Sequence, residues 1–225
     1  MQTVKIQSYN DFGYVALEDG LRTSLTSNDE VLSGLPDYEH RENVYVDMSI
    51  ATSGGYLAPY GSSEQPFGRN DFIINIGDGV IKDASSITYH VKNAGTMGQI
   101  FVANAGGNPV TIRNWEGFPP PRIKIVDITA GIRTYDHTGT ITFNKVLLMA
   151  ETSDPVGMLF RTGGTGQFNI HNCVCILKNT NVSPATTFIM QSTPGSIIVN
   201  TKGSVFSIIT ENTPSTHSFF QASGG

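Results

Sequence analysis

The chain has 225 residues, enough to bury a sizeable core as one large all-β domain or as a small domain joined to a larger one. A net charge of −5 argues against an electrostatic grip on phosphate backbones, so no nucleic-acid partner is expected. Charged residues are only 15% of the chain, while its 24 glycines stand among abundant Ser, Thr and Asn; that balance favours turns and strands over exposed amphipathic helices.

Met1-Gln2-Thr3-Val4-Lys5-Ile6 runs straight into polar residues, and no stretch approaches about 18 uninterrupted apolar residues. Neither an ordinary signal peptide nor membrane insertion is expected. Residues 1 to 70 read as a small mixed region, with acids such as Asp11, Glu18, Asp29 and Glu42 and aromatics such as Tyr9, Tyr14, Tyr45 and Tyr60. Ser27-Asn28-Asp29-Glu30 has capping-box spacing, which predicts a short helix over 28 to 34 ended by Gly34 and Pro36. Val44, Val46, Met48 and Ile50 alternate with polar residues as in a strand with one buried face. From Thr52 to Asn70, Gly, Ser and Pro take over, predicting a linker or surface loop and a domain boundary near residue 70.

Beyond Asp71 short strands follow one another: Phe72–Ile76, Ile87–Val91, Gln99–Val102, Pro109–Ile112 and Arg122–Val126. From Gly139 to Ala222 the chain repeats. Gly139-Thr140-Ile141-Thr142-Phe143-Asn144 is answered by Gly166-Gln167-Phe168-Asn169-Ile170-His171 and by Gly195-Ser196-Ile197-Ile198-Val199-Asn200, with starts 27 and then 29 residues apart. Each copy closes alike, on Pro155 before Met158-Leu159-Phe160, Pro184 before Phe188-Ile189-Met190, and Pro214 before Phe219-Phe220. Gly98-Gln99-Ile100-Phe101-Val102 resembles an earlier opening. Gly139 follows only 41 residues later, so an insertion is expected between them, marked by Phe118-Pro119-Pro120-Pro121 and exposed over Trp115 to Pro121.

A unit of about 27 residues spans roughly 90 Å when extended, enough to circle a small triangular core once. Stacked circuits make a solenoid, with aligned positions lying one above another. Ile141, Phe168 and Ile197 are expected to form one apolar stack and Phe143, Ile170 and Val199 another, facing Phe160, Met190 and Phe220. The fold class is therefore all-β, a parallel solenoid with coils of about 27 to 30 residues after the mixed N-terminal region. Its last coil leaves an uncovered edge at Gly225, where a further coil or a partner is expected.

Asn144, His171 and Asn200 align at a strand corner and read as a structural ladder, since Asn tolerates left-handed backbone and stacked amides bond from coil to coil. Cys173 and Cys175 are two apart in a strand, hence on one face about 6.6 Å apart. A disulfide needs Cβ atoms about 3.5 to 4.5 Å apart, so two buried free thiols are expected. A Cys-x-Cys metal half-site has only His171 nearby, and no metal is assigned. No phosphate loop, Ser-His-Asp motif, His-Glu-x-x-His pattern or calcium loop is present, and no cofactor is expected.

The repeat resembles the right-handed parallel β-helix of the pectate-lyase-like superfamily, clearly over 139 to 222 and loosely over 71 to 138. That superfamily includes polysaccharide lyases, glycosidases, adhesins and phage tailspikes, so the resemblance speaks to architecture more than to activity. It implies first a structural virion protein of a bacteriophage, a tail spike, fibre or capsid-attached protein. On that reading residues 1 to 70 anchor to other virion proteins, the β-helix forms a stem, and the protein assembles in the host cytoplasm before release by lysis. A homotrimer is implied by the resemblance alone, and host surface polysaccharide is a further partner that it admits.

The alternative is a polysaccharide lyase or glycoside hydrolase. Glu151 and Glu211 are expected two coils apart, about 9.6 Å along the axis, at the outer end of the separation inverting glycosidases use. Asp154 lies near Glu151, and Thr180 is expected between the two acids. The Ser, Thr and Pro around them mark a turn, however, so solvated turn carboxylates are the preferred reading and no catalytic residue is assigned. Asp136-His137, another acid/base candidate, also sits in a Gly-Thr-rich turn. A bacterial surface adhesin ranks last, since it calls for an export signal and more coils.

Overall fold

In this computed structural model, residues 6–9, 15–17, 42–54, 60–71, 86–98, 100–102, 109–126, 130–134, 139–162, 166–192, 198–212 and 216–222 are described. The chain divides into two compact units, Met1–Asp37 and Tyr38–Gly225. The first contains an antiparallel pair, β1 (Ile6–Tyr9) and β2 (Val15–Leu17). The helix expected over 28 to 34 and the strand expected over Phe72–Ile76 lie outside the described residues.

The second unit is a parallel β-solenoid. Its strands are β3 (Asn43–Asp47), β4 (Phe67–Gly68), β5 (Ile87–Lys92), β6 (Ala94–Met97), β7 (Ile100–Val102), β8 (Val110–Asn114), β9 (Arg122–Val126), β10 (Ala130–Thr134), β11 (Thr140–Asn144), β12 (Leu147–Thr152), β13 (Val156–Thr162), β14 (Gln167–His171), β15 (Val174–Asn179), β16 (Thr186–Ser192), β17 (Ile198–Lys202), β18 (Val205–Thr210) and β19 (Thr216–Ala222). Three sheets result. The first runs β4-β3-β5-β8-β11-β14-β17, the second β6-β9-β12-β15-β18, and the third β7-β10-β13-β16-β19. From β5 onward every three consecutive strands visit the three sheets in turn and so make one coil.

The alternation in sequence fixes what faces the core. In β11 and β14, Ile141, Phe143, Phe168 and Ile170 are buried while their neighbours are partly exposed. Ile141 pairs with Phe168 and Phe143 with Ile170, and in the third sheet Phe160 pairs with Met190 and Met190 with Phe220. Phe143 and Phe168 each meet Phe160 edge-on, at 5.5 and 6.2 Å between ring centroids. Burying each such ring contributes about 2 to 3 kcal/mol. Cys173, just ahead of β15, and Cys175 within it are free and buried, and burial pushes both thiols up in pKa.

Three sequence expectations need correction. The boundary moves: β3 and β4 join the first sheet, Val44, Val46 and Met48 are fully buried, and Phe67 packs into the same core, so β3 and β4 belong with the solenoid and the units part at Asp37. The third copy is shifted by two: Phe168 pairs with Val199, not Ile197, and Ile170 with Thr201. A shift of two residues preserves the inward and outward alternation, so motif matching could not detect it. Finally, Ile100–Val102 pairs with β10 and belongs to the third sheet, while Val110 is the true counterpart of Ile141. A complete coil therefore fills the 41-residue gap, and Trp115 to Pro121 only enlarges one corner of it.

At the last coil the inward positions are less covered. Val199, Phe206 and Ile208 are partly buried and Phe220 is 47% exposed, whereas Phe168, Cys175, Leu177 and Met190 in the preceding coil are buried.

Candidate functional site

Outward side chains in parallel in-register sheets form columns. On the first sheet one column runs Asn43-Thr88-Thr111-Thr142-Asn169-Asn200 and the next Tyr45-His90-Arg113-Asn144-His171-Lys202. The expected ladder is thereby corrected. Asn144 and His171 are neighbours, but Lys202 takes the following rung and Asn200 stands in the adjacent column, a consequence of the two-residue shift.

A true amide ladder occupies that adjacent column. Asn169 Nδ2 donates to Thr142 Oγ1 at 3.2 Å, and Asn169 Oδ1 accepts from Asn200 Nδ2 at 3.0 Å and Gln167 Nε2 at 2.8 Å. The left-handed corner residues are not Asn144, His171 and Asn200 but Lys145, Asn172 and Gly203, each one place or more further on, with φ of 55°, 53° and 62°. A second ladder, unread in sequence, links turns between the second and third sheets: Asn181 Nδ2 donates to the Ser153 carbonyl and Asn212 Nδ2 to the Asn181 carbonyl.

Where the first sheet's outer face meets the enlarged corner, rings gather. Tyr45 stacks on His90 at 4.8 Å and meets Trp115 at 4.8 Å, and Trp115 meets Phe118 at 5.4 Å. Lys92 Nζ lies 4.3 Å from the Trp115 centroid and 4.8 Å from that of Phe118, and its charge is answered by Asp47 at 3.5 Å. Asn114 Nδ2 donates to the carbonyls of Trp115 and Phe118, pinning the loop, and Gly117 turns it at φ 86°. Three prolines then stiffen the exit. Phe118 is 40% exposed, while Trp115 is half-buried.

Charge in this cluster is settled by close partners. Burial alone would raise the Asp47 carboxyl, but hydrogen bonds from Ser49 and Asn93, with Lys92 nearby, hold it below the usual carboxylate range. Burial depresses the His90 pKa, and the Arg113 charge lowers it further against a smaller opposing pull from Glu116. The imidazole is thus neutral near pH 7, and its Nε2 donates to Asn43 Oδ1 at 2.9 Å. Arg113 Nε and Asn144 Oδ1, on adjoining rungs, are buried without hydrogen-bond partners.

The weak catalytic candidates lie elsewhere. Glu151 projects from the second sheet, accepts from Lys124 Nζ at 2.5 Å and is ion-paired with Lys178 Nζ at 3.7 Å, and Lys178 also reaches Glu211 at 3.3 Å. Lys178 bridges the two acids, and Thr180 is level with Glu211 instead of between them: Glu211 N donates to the Asn179 carbonyl, as Thr180 N does to that of Thr152. Hydrogen bonding from Lys124 lowers the Glu151 pKa, and Glu211 and Glu151 raise that of Lys178. A general acid of glycoside cleavage calls for a raised carboxyl pKa, and the shift at Glu151 runs the other way. Asp154 is fixed in the turn, its backbone N–H donating to Thr152 Oγ1, and Asp136-His137 lie outside the described residues. Among the described residues no group of three or more His, Cys, Asp or Glu is placed to hold a metal ion, and no helix is long and apolar enough to cross a membrane.

Comparison with family models, curated proteins and solved structures returns no match for this chain.

Proposed function

We propose that this chain is a non-catalytic β-solenoid stem of a particle-borne structural protein, a bacteriophage spike, fibre or capsid-attached component, and that its aromatic corner meets host glycan. The observation that carries the reading is the fate of the outward polar groups. Amides are bonded coil to coil on the first sheet, and acids are neutralised by lysines on the second. Chemistry spent on fixing a rod is what a stem requires. A separate compact unit, Met1–Asp37, supports attachment to other components of the particle.

The glycan contact rests on Tyr45 of β3 and on Trp115 and Phe118 of the pinned loop, beside a column of Asn and Thr. Apolar ring faces suit the C–H faces of a pyranose, and flanking amides and hydroxyls suit its hydroxyls. Trp115 is the only tryptophan, so its fluorescence reports the site directly. Titration with bacterial capsular oligosaccharides is expected to shift that emission, and Phe118→Ala is expected to weaken the response at least about tenfold in affinity. No shift with any oligosaccharide removes the glycan contact. Antibody labelling of virions tests the particle role, and particles without repeated label overturn it. Release of reducing ends, lost in Glu151→Gln, would favour the hydrolase reading instead.

A further inference from the structure

Several cations on the outer faces of the first two sheets are answered within the chain, Lys92 by Asp47, and Lys124 and Lys178 by Glu151 and Glu211. Arg113 is not. Its side chain is half-buried on the outer face of β8, yet it has no ion pair or hydrogen bond among the described residues, and its Nε is shielded from water with no acceptor. One rung on, Asn144 Oδ1 is shielded in the same way with no donor. A guanidinium carries five N–H donors in a planar fork, and withdrawing it from water without partners is unfavourable.

The surroundings of Arg113 join it to the aromatic corner. On one side stands His90, kept neutral by burial, and beyond it Tyr45, whose ring meets Trp115. Strand spacing sets Arg113 about 5 Å from His90 and about 10 Å from Tyr45. On the other side the column continues through Asn144, His171 and Lys202 and holds no acid. Glu116, in the loop beyond, is exposed, and its pull on His90 is smaller than that of Arg113. Thr111 and Thr142 flank Arg113 and Asn144 in the adjacent column.

We infer that Arg113 selects the glycan, and that the sugar it takes bears a carboxylate. A sugar stacked on the rings of the corner sets a neighbouring sugar over Arg113, whose fork pairs with the carboxylate through two parallel hydrogen bonds. Sugar hydroxyls then fall to Thr111 and Thr142. A neutral sugar leaves the guanidinium unpaired, so the acidic chain is preferred. The inference rests on the glycan contact proposed above and names the chemical class of that glycan.

The emission of Trp115 in the full chain, titrated with a hexuronate-containing capsular oligosaccharide and with the same oligosaccharide after carboxyl reduction, tests it. The acidic form is expected to bind at least about tenfold more tightly at low salt, and the gap to narrow as salt rises. Arg113→Gln should bring the two forms to about equal affinity. Arg113→Lys keeps the charge without the fork and should keep only part of the gap. Asn144→Asp sets a carboxylate on the adjoining rung, where it pairs with Arg113 inside the chain. It should close the gap while raising the melting temperature, and it serves if Arg113→Gln misfolds. Silence with both oligosaccharides overturns the glycan contact and this inference together. Equal binding of the two forms by the unaltered chain, or a gap that survives both Arg113→Gln and Asn144→Asp, overturns this inference and leaves the glycan contact standing.

Discussion

The first and second sheets share one core yet turn different faces outward. On the first, Thr142, Asn169 and Asn200 are bonded rung to rung, and Gln167 braces them. On the second, aliphatic side chains stand beside a row of alternating charge. In-register stacking sets like positions over like, so identical repeats would place Glu upon Glu. Amides tolerate such stacking, because each is both donor and acceptor. Charges do not, and the row avoids self-repulsion by drawing its members from different sequence positions: Lys124 is level with Met149, and Glu211 lies beyond the end of β18. Inward residues thus decide the solenoid, and outward columns are free to become a bonded ladder or an ion-paired aliphatic strip.

The sharpest way to break this division is a change that confuses inside with outside. Phe168→Asp places an unpaired charge in the core, and a loss of several kcal/mol is expected, seen as collapse of the cooperative melt. Asn169→Asp, one residue on and facing outward, should leave the molecule folded; equal damage from both would mean the faces are wrongly assigned. Next in size is Asn169→Ala. It removes bonds to Thr142, Gln167 and Asn200 at about 1 kcal/mol each at most, and denaturant titration should show a lower midpoint with an unchanged slope.

The smallest effect belongs to the second sheet. Because the folded pKa of Glu151 lies below its ordinary value of 4.5, its contribution to stability is present above about pH 4.5 and is lost as pH falls through the folded value. The pKa of Lys178 lies above its ordinary 10.5, so its contribution is complete below about pH 10.5 and is lost as pH rises through the folded value. Glu151→Gln should lower the melting temperature by no more than about 3 °C at pH 7 and flatten its decline below pH 4.5. An unaltered acid limb would show that the carboxylate is not ion-paired in solution.

Much of the fold is legible in the chain. Period-2 alternation in Ile141-Thr142-Phe143 and Phe168-Asn169-Ile170 names the buried face, and the first 27-residue spacing gives the correct pairing of β11 with β14. The next spacing misleads, because bonded partners Asn169 and Asn200 are 31 residues apart while the motif starts are 29 apart. Ile100–Val102 misleads for a related reason: a Gly followed by alternating apolar residues fits any sheet of a solenoid. The site was less legible. Tyr45, His90 and Trp115 are far apart in sequence and meet only through the pairing of β3 with β5 and of β5 with β8. Lys124 and Lys178 carry no motif, and only the stacking of coils sets them on either side of Glu151.

By itself the sequence determined that the chain is built of strands, which side of each is apolar, and that coils of nearly constant length repeat, since these follow from local alternation and spacing. Tertiary structure alone decided register, the place of the boundary between the two units, and which outward side chains share a column. The reason is physical: an even slip leaves every apolar residue facing inward, so the core cannot choose among registers, and the choice falls to corners and long-range pairing.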